Sequence, residues 1–138
     1  MEDNGFQIEA ANQDDLAAIQ TFLKPFMDGE RLLARTSIEL QLLLKHSFKA
    51  LSVDDRVVGF CALEIYSKKL AEIQCLAVDP EFQGRGIGRS MVALCIERAS
   101  DEKVKELMAI SSSDEMFKAC GFDYSLPNQK RLSLFSLE

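Results

Sequence analysis

Hydrophobic residues recur along this chain in two rhythms. Leu16, Ile19, Phe22, Leu23, Phe26 and Met27 keep the three-to-four spacing of one helix face, with Asn12 as the cap and "DGE" as the stop. A second helix starts near "RTS", where Thr36 or Ser37 caps "IELQLLLKH". The rhythm then changes. "FKALSV" and "VVGFCALEIY", joined by "DDR", read as a β-hairpin, and "SKK" turns the chain into "AEIQCLAV", its most strand-like segment. "FQIEAA" supplies a short strand ahead of the first helix. Further on, Met91, Val92, Leu94, Cys95 and Ile96 form the apolar face of a helix reaching about Ser100. "VKELMAI" follows as a strand and "SDEMFKAC" as a short helix, which Gly121 stops in the left-handed conformation. "FDYS" and "RLSLFSLE" are the last strand candidates, with Pro127 and Asn128 between them.

Hairpins mixed with crossover helices predict an α/β fold: one domain over residues 1–138, with a mixed, mostly antiparallel twisted sheet flanked by helices. A chain of 138 residues, 47% hydrophobic and 28% charged, is large enough for one sizeable core. Its net charge of −6 argues against nucleic-acid binding through bulk electrostatics. No apolar run has the length of a membrane span, and "MEDNGF" is too acidic for a signal peptide, so the expected setting is cytoplasmic, away from membranes. Cys61, Cys75, Cys95 and Cys120 lack CxxC spacing and His46 is the sole histidine, which argues against a metal site. The four thiols read as small buried hydrophobes, and His46 as a residue serving the end of its helix.

The chemistry concentrates in "EFQGRGIG", residues 81–88, which holds three of the seven glycines. A P-loop would need a lysine after its last glycine, and a dinucleotide fingerprint would need its third glycine one position later. Gln83, Gly86 and Gly88 instead satisfy Q/R-x-x-G-x-G/A. They lie between a strand ending in "LAVDPEF" and the helix "RSMVALCIERA", with "FKACGF" some thirty residues on. From about Arg31 to Phe122 this ensemble resembles the GNAT superfamily of acetyl-CoA-dependent N-acetyltransferases.

That resemblance implies acetyl-CoA as acetyl donor and no metal. It assigns the pyrophosphate to Gln83, Gly84, Arg85, Gly86, Ile87, Gly88 and Arg89, and the pantetheine arm to backbone groups of Leu76, Ala77 and Val78. Glycines let several N–H groups converge on a phosphate without a Cβ in the way, and the helix that follows adds its positive end. Arg85 and Arg89 add local charge in an acidic protein. Glu72, in "LAEIQCLAV", matches the glutamate that several GNAT enzymes use as general base. The tyrosine that usually serves as general acid is replaced by Phe117, and Cys120, Ser113, Tyr124 or a water stay open as substitutes.

Within the superfamily, "LLARTSIELQ" and the strands after it resemble the acetyltransferase domain of bacterial N-acetylglutamate synthases. By that resemblance Arg35 contacts the carboxylate of a small amine substrate, and a guanidinium's fork of donors suits the task. Ala34 stands where that family has a second arginine, "SSSDE" is acidic where a basic residue is expected, and "KRLS" retains only Lys130, Arg131 and Ser133. The sequence leaves three alternatives open: a polyamine acceptor, a protein amine, or an acetyl-CoA-binding module without turnover. It leaves a homodimer open as well.

Overall fold

The computed structural model describes residues 5–110, 115–124 and 131–135. In chain order the elements are β1 (Phe6–Ala10), α1 (Leu16–Asp28), α2 (Ser37–Leu43), β2 (Ser47–Ser52), β3 (Val57–Ile65), β4 (Leu70–Val78), α3 (Ile87–Asp101), β5 (Glu106–Ile110), α4 (Glu115–Ala119), β6 (Asp123–Tyr124) and β7 (Arg131–Phe135). The strands form one sheet in the order β1-β2-β3-β4-β5-β7-β6. Every neighbouring pair is antiparallel except β4 and β5, which the α3 crossover makes parallel. The mixed, mostly antiparallel sheet expected from the pattern is present.

Side chains satisfy free N–H groups at the start of the turn that leads into α1 and at the start of α2. Asn12 accepts from Asp14 N at 2.9 Å and Asp15 answers to Asn12 N, which caps a short 3-10 turn that leads into α1. At α2 the cap is Thr36, with Glu39 closing the reciprocal box. The α3 face differs from the sequence reading. Ile87, Met91, Val92, Cys95 and Ala99 are buried, while Leu94 and Ile96 only flank them. Steps of four residues select this stripe, so Ile87 and Ala99 belong to it.

Two cores sandwich the sheet. On one face α3 and Phe117 of α4 cover Val58, Leu63, Ile73 and Leu107. On the other, Ile19, Leu23 and Phe26 of α1 and Leu40 and Leu43 of α2 cover Phe60, Ala62, Cys75 and Ala77. Cys61, Cys75 and Cys95 are buried as expected and Cys120 is half-buried. The Cys61 and Cys95 sulfurs lie 3.5 Å apart between β3 and α3, and that bond together with burial pushes the Cys61 thiol far up.

Gly59 sets the seat of α3. A Cβ there would lie 3.1 Å from both Ala50 Cβ and Ile87 Cγ2, and 3.2 Å from Met91 Cε. Its absence lets the first turn of α3 rest directly on β3, which fixes the height of the glycine-rich turn just before it.

Candidate active site

The site is organised by a bulge in β4. Phe60 faces Ala77 and Ala62 faces Gln74, so three steps along β4 oppose two along β3. Cys75 has φ 58°, a left-handed conformation unusual for a residue inside a strand. The bulge exchanges the faces of the strand. Before it, Ala71 and Ile73 point into the α3 core; after it, Cys75 and Ala77 point into the α1–α2 core. Glu72 and Gln74 therefore share the α2 side, whereas Leu76 and Val78 pack on the α3 side.

Strand pairing breaks close by. β4 and β5 are joined only from Leu70–Glu106 to Glu72–Met108, and among the described residues β4 has no β5 partner beyond Glu72. β5 continues with β7 as far as Ile110. The two parallel strands thus part after Glu72, and among the described residues nothing pairs with that edge of β4 over Leu76, Ala77 and Val78, where an extended guest could lie. Such an edge presents main-chain donors and acceptors to amide groups. Ala77 is buried, so it has only its backbone to offer.

Beyond Val78 the chain makes a short turn capped by Asp79, and then the glycine segment. Gln83 Nε2 donates to Val78 O at 3.1 Å and ties this segment back to the strand end. Gly84 and Gly86 have φ of 82° and 87°, with nothing within 4 Å of where a Cβ would lie. The glycines answer to backbone conformation and open space rather than to crowding by the protein itself. Gly86 is the residue before α3, whose first N–H groups have no intrahelical partner and point the same way as the helix dipole. Ile87 is buried in the core and offers only its N–H. The Arg85 guanidinium lies 4.5 Å over the Phe82 ring and donates to Glu81 O at 3.3 Å, which holds the charge at the rim of the turn. Arg89 stands exposed on the first turn of α3.

A cleft of about 910 Å³ opens on the α2 side of the sheet, lined by Leu33, Arg35, Glu39, Leu42, Glu64 and Gln74 among others. The half-buried Arg35 donates to Gln74 Oε1 at 2.8 Å and to Leu33 O at 2.9 Å. Gln74 Nε2 donates in turn to Glu64. Glu72 does not line the cleft. It lies beside it, directly across the β3–β4 pair from Glu64, and its Oε1 accepts from the Tyr66 hydroxyl at 2.6 Å. Burial first, and then the Glu72 carboxylate, push the Tyr66 phenol far above the ordinary tyrosine range, so it stays a donor. Glu64, Tyr66 and Gln74 were missed in the sequence. Alternation carried forward from Glu72 gives Gln74, and folding the hairpin about "SKK" sets Glu64 opposite Glu72, but the contact with Arg35 spans 39 residues and has no local signal.

Other expected residues fall elsewhere. Phe117 is buried and packs edge-on against Phe122, with ring centroids 5.4 Å apart. Ser133 is buried and its hydroxyl donates to Glu106 at 2.5 Å, so it is spent within the sheet. Ser113, Lys130 and the side chains of Tyr124 and Arg131 lie outside the described residues.

His46 does not serve a helix end as a charge. Arg98 Nη1 lies 3.0 Å from His46 Nδ1, and because a guanidinium only donates, the ring accepts there and is neutral. Burial and the Arg98 charge hold His46 below the ordinary histidine range. The unfolded chain takes up this proton near pH 6.5 and the folded one resists it. The stabilisation is therefore complete above about pH 6.5 and declines as pH falls through the depressed folded value. Urea midpoints compared at pH 7.5 and 5.5 should fall on acidification in the wild type and fall less in His46→Asn. Identical declines would assign the effect to other groups.

The described residues contain no helix long and apolar enough to cross a membrane, and no group of three or more His, Cys, Asp or Glu side chains arranged to hold a metal. Residues 14–122 match the model of the acetyltransferase (GNAT) family. The chain belongs to the GNAT family. It is an acetyl-CoA-dependent N-acetyltransferase of the GNAT type. Relatives agree. The chain is 31% identical over 115 residues to an uncharacterized N-acetyltransferase of Chlorobaculum tepidum, covering 83% of this chain and 74% of that protein. It is 27% identical over 119 residues to an amino-acid acetyltransferase of Aeromonas salmonicida, covering 85% of this chain but only 27% of that relative, about a quarter of its length. In fold it is similar to the N-acetylglutamate synthase of Neisseria gonorrhoeae solved with coenzyme A and N-acetyl-glutamate. That likeness has a TM-score of 0.79 at 22% identity, over 97% of this chain and 36% of the other.

Proposed function

We propose that this GNAT protein, one acetyltransferase domain over residues 1–138, moves the acetyl group from acetyl-CoA to the amine of a small carboxylated substrate, an amino acid such as glutamate. The observation that carries this reading is the half-buried Arg35 guanidinium in the cleft beside β4, close to Glu64 and Gln74. Two of its N–H groups are engaged, and the rest of the fork is left for a carboxylate. The names of the relatives that act on amino acids support the same class.

In this reading the glycine turn and the first N–H groups of α3 hold the pyrophosphate. The open edge at Leu76, Ala77 and Val78 receives the pantetheine arm, which brings the thioester to the β4–β5 divergence. Backbone N–H groups there polarise the thioester carbonyl. Glu72 takes a proton from the amine as nitrogen attacks the carbonyl carbon, the C–S bond breaks, and coenzyme A leaves as thiolate, which takes up its proton from water.

Thiol release from acetyl-CoA, measured with a panel of amino acids, polyamines and short peptides, tests the class. Carboxylated amino acids should be acetylated fastest. Arg35→Ala should raise the acceptor KM about tenfold and spare the KM for acetyl-CoA; the effect is smaller than for a fully buried pair because the guanidinium is only half-buried. Equal use of glutamate and its amide-capped analogue would reject the carboxylate. A cationic acceptor is the second reading, favoured by the Glu39, Glu64 and Glu102 carboxylates that line the same cleft. Preference for a polyamine would select it.

A further inference from the structure

The side chain that joins the two halves of the candidate acceptor site is Gln74. Its orientation is settled by chemistry: Arg35 can only donate, so Oε1 faces it, and an ionised Glu64 can only accept, so Nε2 faces that carboxylate. The remaining Nε2 hydrogen points toward the Tyr66 hydroxyl at 3.2 Å and Glu72 Oε1 at 3.4 Å. Gln74 thus touches the guanidinium at one end and, at the other, two carboxylates that stand directly opposite each other in the β3–β4 register. Like charges so placed repel, and an amide N–H₂ between them, with the Tyr66 hydroxyl, relieves that repulsion. Ordinary alternation with Ile73, which points into the α3 core, keeps Gln74 on the α2 face beside Arg35, and the bulge at Cys75 then turns Cys75 and Ala77 onto that same face.

We propose that Gln74 is a positioning residue that couples acceptor recognition to deprotonation: its carbonyl aims the Arg35 fork while its amide holds Glu64 and Glu72 in place. The proposal rests on the reading of Arg35 and Glu72 given above. A glutamine suits this place because it presents an acceptor and a two-proton donor in one rigid plane. A carboxylate could meet only the Arg35 end, and an apolar side chain neither.

The test follows acetyl transfer to L-glutamate as thiol release or, where wild type does not acetylate glutamate, to the amino acid it acetylates fastest. Gln74→Leu should raise the acceptor KM and lower kcat, each about tenfold, with the acetyl-CoA KM within about twofold of wild type. Gln74→Glu should split the two effects: it still accepts from Arg35 but sets a third carboxylate against Glu64. Its acceptor KM should stay within about threefold of wild type while kcat falls about tenfold. In the Arg35→Ala background, Gln74→Leu should raise the KM no further. Melting temperatures near that of wild type identify folded variants. If Arg35→Ala raises the acceptor KM and Gln74→Leu changes neither constant, or if the leucine and glutamate variants lose both constants alike, the positioning role is wrong and the acceptor reading stands. If Arg35→Ala has no effect, or no amino acid is acetylated, the acceptor reading falls and this proposal with it.

Discussion

Gly86→Asp is expected to weaken acetyl-CoA binding by about a hundredfold or more, measured by calorimetric titration. Gly86 has φ 87°, a region that costs a residue with a Cβ roughly 1–2 kcal/mol. Nothing in the protein lies within 4 Å of the added Cβ, so the strain has no steric companion and the fold should persist. The aspartate carboxylate stands at the start of α3, where it can engage the same free N–H groups that a phosphate would use. Each hydrogen bond lost to a charged group costs about 1.5–3 kcal/mol, so losing two exceeds the roughly 2.7 kcal/mol that a hundredfold requires. Gly86→Ala, which carries the strain without the charge, should fall between the two proteins. Equal affinity in wild type and Gly86→Asp would place the pyrophosphate elsewhere.

Glu72→Gln should lower kcat by about 10²-fold or more with acetyl-CoA affinity nearly unchanged. Glutamine has the shape of glutamate and still accepts the Tyr66 hydroxyl, now 2.6 Å from Glu72 Oε1, so the geometry is retained while the base is lost. The glycine turn lies at the other end of β4, beyond the bulge, which is why binding of the cofactor should not move. Pre-steady-state thiol release with saturating acceptor separates the chemical step from product release. A rate and pH profile unaltered in Glu72→Gln would hand deprotonation to another group or to water.

Much of the fold was legible because its signals are local. Spacing of three and four placed α1, caps at Asn12 and Thr36 marked where the early helices begin, and alternation found β3 and β4. The glycine turn could be read for the same reason, since positive φ at Gly84 and Gly86 is a property of single residues and their neighbours. The family followed from that turn and its flanking elements. Arg35 and Glu72 were named from resemblance, and nothing along the chain tied one to the other.

What only the tertiary structure decided is the arrangement around β4. Strict alternation would put Glu72, Gln74, Leu76 and Val78 on one face. The extra residue at Cys75 divides them between two faces, and its left-handed conformation, in a residue type that rarely adopts it, has no sequence mark. The Gln74 contact to Arg35 and the His46 contact to Arg98 join residues 39 and 52 positions apart. Contacts of that separation are set by which faces of the sheet the helices cover, a packing outcome of the whole core. Sequence therefore determined the elements and the glycine turn, whereas the polar network beside the α2-side cleft exists only once both cores have closed on the sheet.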